Sequence, residues 1–178
     1  MSVIYTVVCG AEPAASVDTF VAAAREAGAD CHIILTPAAT AFVDSAALEQ
    51  VTGNPVVDRH RAPGTPRRPR PDADVLVVAP ATANTICKTA AGITDTYALD
   101  VISERISLRV PVLMVPFVDD VLARRAPYQR ARLQLEEEGV TVVNMPRHGR
   151  NTGAGLSTGF PWTQVLEMAL ASAGRRRG

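Results

Sequence analysis

The sequence predicts an α/β fold, a Rossmann-like three-layer sandwich in which a parallel sheet lies between two layers of helices. Apolar runs alternate along the chain with amphipathic helical patterns. The runs are apolar throughout, which is typical of strands that are buried on both faces. The chain has 178 residues, of which 47% are apolar and 20% charged, so we expect a single globular domain over residues 1–178. Right-handed crossovers between the strands then produce the three layers.

Five apolar runs are the predicted strands, in the order 3–8, 33–35, 75–79, 110–115 and 140–144. The first crossover helix is predicted between Ser16, as its N-cap, and Gly28, as its stop. Its apolar positions recur at helical spacing and are Val17, Phe20, Val21 and Ala24.

Three further helices are predicted along the chain. One follows the third strand and runs through Ala90, and a second covers residues 127–138 and ends at Gly139. The last begins at Pro161, because proline is favoured in the first turn of a helix. Its apolar stripe comprises Trp162, Val165, Leu166, Ala169 and Leu170.

Composition argues against several classes of partner. The net charge is zero, so we expect no nucleic-acid partner, and the basic residues 175–177 are expected to be a solvated terminus. The chain has an odd number of cysteines without metal-ligand spacing, namely Cys9, Cys31 and Cys87, so neither a disulfide framework nor a metal site is predicted. This use of cysteine predicts a cytoplasmic location. The first apolar run is too short for a signal peptide or a membrane span, so no membrane partner is expected.

Small or polar residues follow three of the predicted strands, at the edge where parallel sheets bind ligands. The turn at residues 9–13 lacks the three-glycine dinucleotide fingerprint, so it predicts no NAD site. Its Gly10 either helps to hold one phosphate or belongs to a plain turn. Thr36 follows the second strand. In residues 80–85, after the third strand, Thr82 or Asn84 either contacts a ligand or caps the next helix. Together the three turns indicate a ligand.

Residues 80–95 closely resemble a signature of the homo-oligomeric flavin-containing cysteine decarboxylases. That family includes phosphopantothenoylcysteine decarboxylase and the peptidyl-cysteine decarboxylases of lanthipeptide biosynthesis. The shared pattern is Pro-Ala-Ser/Thr-Ala-Asn-Thr, followed by Lys, Ala and Gly-Ile-x-Asp, and weaker similarity extends from Val3 to about Val143. The resemblance implies a flavoprotein type of fold, FMN as the cofactor, and a homo-trimer or homo-dodecamer with FMN at the trimer interface.

The resemblance also implies which residues contact FMN. By position, they are Gly10, Ala11, Thr36, Ala81, Thr82, Asn84, Thr85 and Asp95. Lys88 matches the signature too, and the alternative for it is a solvated helix residue. In the implied reaction, FMN oxidises a cysteine side chain and the neighbouring carboxylate then leaves as carbon dioxide.

Two departures from the family pattern concern the catalytic groups. Pro66 stands where the family has a catalytic histidine, and His60, six residues earlier, is the predicted replacement because histidine suits proton transfer near neutral pH. The alternative is an exposed loop histidine. The family's substrate-binding asparagine aligns with Asp119, which we predict to be catalytic and, with Phe117, to bind substrate. Capping of a helix is the alternative for Asp119.

Two segments interrupt the alternation of strands and helices. Residues 59–71 carry four prolines and five arginines and therefore form a loop. Residues 147–160 carry four glycines and are predicted to be a substrate clamp, in which Gly153 and Gly155 contact the substrate, or else a linker. The clamp of phosphopantothenoylcysteine decarboxylase holds a cysteine that returns reducing equivalents to the product, whereas no cysteine follows Cys87 here.

The missing late cysteine favours a peptide substrate. The predicted function is FMN-dependent oxidative decarboxylation of a peptide's C-terminal cysteine to an aminoenethiol, in the biosynthesis of a ribosomal modified peptide. Two alternatives stay open: an enzyme like phosphopantothenoylcysteine decarboxylase, and a flavin-binding partner protein without decarboxylase activity. A flavin prenyltransferase has a similar fold, but the signature at residues 80–95 fits the cysteine decarboxylases better.

Overall fold

A computed structural model of the chain describes residues 1–64, 70–145, 149 and 159–177. Residue 177 is described by its backbone only. Its centre is a parallel five-stranded sheet with the strand order β2-β1-β3-β4-β5. The strands are β1 (Val3–Val8), β2 (Asp30–Leu35), β3 (Val75–Ala81), β4 (Val112–Pro116) and β5 (Thr141–Val142). Helices cover both faces, so the predicted three-layer α/β fold is confirmed.

The helices connect the strands in chain order. They are α1 (Val17–Glu26), α2 (Ser45–Thr52), α3 (Ala83–Ala90), α4 (Tyr97–Ser107), α5 (Asp120–Ala123), α6 (Ala126–Glu137) and α7 (Trp162–Arg177). Two short 3₁₀ helices, Glu12–Ser16 and Pro37–Ala41, follow β1 and β2. The predictions of α1, α3, α6 and α7 are confirmed, whereas α2, α4 and α5 were not predicted.

Several predicted strand limits were wrong, for local reasons. Strand β2 begins three residues earlier than predicted. Asp30 and His32 are polar, so the apolar pattern missed them, but they pair with Val3 and Tyr5 of β1. Strand β4 begins later, at Val112. The residues before it complete the turn after α4. In this turn Arg109 has a φ of 55°, and the Val110 N–H donates to the Arg105 carbonyl of α4. Strand β5 is limited to residues 141 and 142.

The side chains of β1 alternate between two cores. Tyr5, Val7 and Cys9 pack with residues of α3, α4 and α6. Ile4 and Val8 pack on the other face with residues of α1, α2 and α7. Every residue of β3 is buried, which is the pattern of a central strand covered on both faces.

Helix α7 closes the second core with the predicted stripe. Trp162, Val165, Leu166 and Ala169 are buried, and Leu170 is partly buried. The Trp162 Nε1–H donates to Ser16 Oγ at 3.0 Å, and that hydroxyl donates to the Pro13 carbonyl at 3.1 Å. Ser16 is the N-cap residue of α1, as predicted, but its side chain makes no capping hydrogen bond, because its hydroxyl is used in these two bonds.

The basic residues 175–177 lie in helix α7. Arg176 donates to the Ala73 carbonyl, and Arg175 donates to Ser172 Oγ at 2.9 Å. Both residues are exposed, as expected of a solvated terminus, and their side chains also donate these hydrogen bonds. Within the described ranges, none of the helices combines the length and the hydropathy that a membrane crossing needs.

Candidate functional site

A cleft of about 760 Å³ opens where β1, β2, β3 and β4 end. The turns after these strands supply its walls, as expected for the carboxyl edge of a parallel sheet. Eight of the residues predicted for the site line it: Gly10, Ala11, Thr36, Thr82, Asn84, Thr85, Phe117 and Asp119. Thr96 and Leu99 at the start of α4 also line it and were not predicted.

The turn after β1 is packed directly against the 3₁₀ helix after β2. A Cβ atom built on Gly10 would lie 2.6 Å from Ala38 Cβ and 2.7–2.8 Å from the carbonyl carbon and oxygen of Ala38. Only glycine fits there without a shift of the backbone. Ala11 and Ala38 also line the cleft, so a flat ligand can approach the backbone closely at this end.

Thr36 presents an unsatisfied hydroxyl to the cleft. The residue is 9% exposed, and its Oγ1 has no hydrogen-bond partner among the described residues. A buried polar group without a partner costs about 1–3 kcal/mol, and such groups are rare in native proteins. The orphaned hydroxyl therefore fits a site whose ligand supplies the partner.

At the turn after β3, the structure separates capping from ligand contact. Thr82 is the N-cap of α3, and its Oγ1 accepts from the Thr85 N–H at 3.3 Å. Asn84 is exposed in the first turn of α3, and none of the described residues bonds to its side chain. Its amide can both donate and accept and faces the cleft without serving as a cap.

Cys9 lies behind this turn and was missed as a neighbour of the site. Its Sγ donates to Thr85 Oγ1 at 3.2 Å, and Thr85 Oγ1 lies 3.1 Å from Thr82 Oγ1. Complete burial raises the pKa of the Cys9 thiol, so the thiol stays protonated at neutral pH. The contact spans 76 positions in sequence, and no local pattern encodes it.

Ala81 and Asp95 lie outside the cleft lining. Ala81 is fully buried in β3, where its carbonyl accepts from the Phe117 N–H at 2.9 Å. Asp95 is exposed and forms an ion pair of 2.6 Å with Lys88, which does line the cleft. The FMN contacts assigned to these two residues stay predictions. In the structure, Ala81 supports the turn after β3, and Asp95 holds Lys88 through the ion pair.

Asp119 lies in the cleft beside Phe117 and also caps a helix. Its Oδ1 accepts from the N–H groups of Val121 and Leu122, both at 2.9 Å, at the start of α5. Among the described residues neither of these bonds uses Oδ2. One carboxylate oxygen therefore holds the helix, and the other can face a ligand.

His60 lies away from the cleft lining. Its ring makes an edge-on contact with Tyr97, with 5.3 Å between the centroids, and the Tyr97 hydroxyl accepts from Arg70 at 2.9 Å. Thr96, which lines the cleft, directly precedes Tyr97. The remaining predicted residues, Gly153, Gly155 and Pro66, lie outside the described residues.

The fold and the cleft together define a mononucleotide-binding α/β protein, with one small-residue cradle and no dinucleotide fingerprint. Residues 4–171 match the flavoprotein family. The chain belongs to this family. Membership confirms the resemblance drawn from residues 80–95, the flavoprotein type of fold and the flavin as cofactor.

The chain is similar in sequence to a part of longer curated proteins. The coenzyme A biosynthesis bifunctional protein CoaBC of Thermococcus kodakarensis is 35% identical over 123 residues, which are 65% of this chain and 30% of that protein. The chain spans about a third of the length of the curated relatives that it matches.

Two solved structures share the fold over nearly the whole chain. The FMN-dependent cysteine decarboxylase TvaF from thioviridamide biosynthesis has a TM-score of 0.79 at 23% identity, covering 98% of this chain and 99% of that one. The FMN-dependent cysteine decarboxylase SpaF has a TM-score of 0.69 at 25% identity, covering 96% and 98%.

Proposed function

We propose that the protein is an FMN-dependent decarboxylase that acts on the C-terminal cysteine of a peptide and forms an aminoenethiol in the biosynthesis of a ribosomal modified peptide. One observation carries the proposal: the decarboxylase-like signature at residues 80–95 places Thr82, Asn84 and Thr85 in a cleft at the carboxyl edge of the sheet. The likeness in fold to TvaF and SpaF supports it.

The residues of the cleft fit a flavin mononucleotide. The unpartnered Thr36 hydroxyl and the free Asn84 amide offer hydrogen bonds to a polar ring edge or a ribityl chain, and the close turn at Gly10 suits a phosphate or a flat ring. When bound, FMN supplies the two-electron oxidation that removes two hydrogens from the cysteine side chain. The resulting thioaldehyde withdraws electrons, so the neighbouring carboxylate can leave as carbon dioxide.

Asp119 is the chain's own candidate for handling protons at the substrate. Its Oδ1 is fixed by two backbone N–H groups, and this holds the carboxylate in place at the cleft wall. The opposite oxygen is then positioned to accept a proton or a hydrogen bond from the substrate thiol or amide. Phe117, next to it in the wall, supplies an apolar surface for the cysteine side chain.

We also propose the assembly that the resemblance implies, a homo-trimer or a homo-dodecamer. Exposed apolar side chains close in sequence to cleft-lining residues support it. Leu122, which lines the cleft, is 41% exposed, its neighbour Val121 is 51% exposed, and Phe42, just after the 3₁₀ helix that supplies Ala38, is 42% exposed. A neighbouring copy that covers this rim would exclude water from the cleft. It would also allow His60, which lies outside the cleft of its own chain, to reach the cleft of a neighbouring copy. The free, buried thiols of Cys9 and Cys31 suit a cytoplasmic location.

Two further candidates rest on specific observations. The likeness to CoaBC favours a coenzyme A-type substrate, phosphopantothenoylcysteine, although no cysteine follows Cys87. The position of His60 outside the lining and the capping by Asp119 favour a flavin-binding partner protein without activity.

Mass spectrometry of the FMN-loaded protein with cysteine-ended peptides separates these candidates. The proposed reaction removes about 46 mass units, which is carbon dioxide plus two hydrogens, and anaerobic mixing bleaches the flavin in step with product. Peptides with a C-terminal cysteine amide are the matched control, because they have no carboxylate to lose. Turnover of phosphopantothenoylcysteine alone would favour the second candidate, and FMN binding with neither substrate turned over would favour the third.

A further inference from the structure

We propose that Cys9 is a positioning residue that fixes the Thr82 hydroxyl as a hydrogen-bond donor to the flavin in the cleft. The inference rests on the flavin site of the proposed function and adds a residue that has no contact with the cleft. Cys9, Thr85 and Thr82 form what we call the hydroxyl relay. It begins at a fully buried thiol and ends at a side chain in the cleft wall.

Three hydrogen bonds make up the relay. The Cys9 S–H donates to Thr85 Oγ1 at 3.2 Å. Thr85 Oγ1 lies 3.1 Å from Thr82 Oγ1, and either hydroxyl can be the donor of this bond. In the relay we assign Thr85 as the donor, because the sulfur that donates to Thr85 offers its hydroxyl hydrogen only a weak acceptor. Thr82 Oγ1 accepts this bond together with the Thr85 N–H at 3.3 Å. Both acceptor positions of the Thr82 oxygen are thereby filled.

The hydrogen of the Thr82 hydroxyl is therefore the free end of the relay. The hydroxyl and the backbone N–H of Thr82 also face the Cys9 sulfur, so without a ligand the hydrogen can return to the sulfur. Sulfur is a weak acceptor, whereas a flavin offers carbonyl oxygens and ring nitrogens. When a flavin binds, the Thr82 hydroxyl can therefore donate its hydrogen bond to the flavin. It gives up only a weak hydrogen bond to sulfur.

The direction depends on the thiol. Burial raises the pKa of Cys9, which keeps the thiol a donor over the physiological range. The thiol fills one of the two acceptor positions of Thr85 Oγ1 and polarises that hydroxyl, which strengthens its donation to Thr82. Without the thiol, both positions are open to accept and the donation to Thr82 is weaker. The Thr82 hydrogen would then be drawn away from the cleft in part of the population. Cys9 would in this way influence a flavin that it does not touch.

Two variants separate donation from packing. Cys9→Ala removes the donor, and Cys9→Ser restores an O–H donor in nearly the same volume. We expect Cys9→Ala to weaken FMN binding by roughly two- to tenfold, the range of one net hydrogen bond, and Cys9→Ser to stay within about twofold of the wild type. We also expect a more negative flavin midpoint potential in Cys9→Ala only, because a donor stabilises the more electron-rich reduced flavin.

Cys31→Ala is the matched control, since Cys31 is a second buried thiol that does not line the cleft. It should alter stability but neither FMN affinity nor potential. If Cys9→Ala fails to fold, infrared spectra of the wild type carry the test: the bonded S–H band should shift on FMN loading, and Cys31→Ala and Cys87→Ala identify the other thiol bands.

Unchanged FMN affinity and potential in Cys9→Ala would overturn the relay, and so would equal losses in Cys9→Ser and Cys9→Ala, which would show packing alone. An S–H band that does not respond to FMN would overturn it as well. Failure of the wild type to bind FMN would instead contradict the proposed function.

Discussion

At the scale of single residues, the site is defined by polar groups that the fold leaves unused. Thr82 satisfies the start of α3, so Asn84 is not needed as a cap. Thr36 Oγ1 is buried with no partner among the described residues. A fold that leaves such groups at one edge of the sheet gains stability when a polar ligand binds there.

Asn84→Ala should weaken FMN binding by roughly 1–3 kcal/mol, because a ligand group buried against the amide would lose its partner. The unfolding of the apo-protein should hardly change, since Asn84 is exposed and does not cap α3. Fluorescence titration of FMN and thermal unfolding measure the two effects. Asn54→Ala is the control. Asn54 donates to Asp30 and to the Cys31 carbonyl, so its loss should reduce stability and leave FMN affinity unchanged. Unchanged affinity in Asn84→Ala would remove this residue from the site.

Asp119 has two separable roles, and two substitutions distinguish them. Asp119→Ala should lower the free energy of unfolding by about 0.5–2 kcal/mol through loss of the cap. Asp119→Asn keeps an oxygen for the cap but removes the charge, so it should retain stability and lose most of the decarboxylation rate. Asp44→Ala, at the N-cap of α2, should show a similar stability loss with normal turnover. Full activity in Asp119→Asn would show that the charge of Asp119 is not needed, and that an amide, the family's group at this position, serves equally well.

At the scale of elements, the carboxyl ends of β1 and β2 were predictable, whereas other strand limits and the tertiary contacts were not. The solid apolar runs of β1 and β3 gave the sheet, and the carboxyl-edge rule placed the cleft at Gly10, Thr36 and Thr82. Helix α4 was missed because two of its four buried residues, Val101 and Ile102, are β-branched and have a low helix propensity. The position of His60 depends on the contact of its loop with Tyr97, which no local pattern encodes.

The close approach of the two turns makes a further prediction. Gly10→Ala places a methyl group against Ala38, so it should destabilise the protein by about 1–3 kcal/mol and weaken FMN binding. Ala38→Gly should not rescue it fully, because the backbone of Ala38 is also within 2.8 Å. Gly174→Ala, in helix α7 with open space around it, should be neutral or slightly stabilising. Denaturant unfolding compares the three, and a fully stable Gly10→Ala would show that the turns can separate.

At the scale of the whole molecule, buried thiols link stability to pH. Burial raises the pKa of Cys31 from 9.0 to about 12. The folded state therefore holds this proton after the unfolded chain has lost it, and stability falls as the pH rises from about 9 towards 12. The loss per thiol approaches 1.4 kcal/mol per pH unit. Urea unfolding at rising pH should show a smaller decline in Cys31→Ala than in the wild type, and parallel declines would contradict this.

The proposed homo-oligomer would decide whether His60 can act at a cleft. His60→Ala should retain FMN and the oligomeric state but lose most of the decarboxylation rate, if His60 serves a cleft. Because His60 lies outside the cleft of its own chain, we expect it to serve the cleft of a neighbouring copy. Oligomers assembled from His60→Ala and Asn84→Ala chains test this directly. A site is intact when its cleft belongs to a His60→Ala chain and its histidine comes from a neighbouring Asn84→Ala chain. In an equal mixture, about a quarter of the sites have this combination and should recover activity. The FMN concentration is set so that Asn84→Ala clefts stay empty. If His60 serves its own cleft, no site then combines bound FMN with this histidine, and the mixture stays inactive. Near-normal turnover by His60→Ala alone would pass the proton-handling role to Asp119.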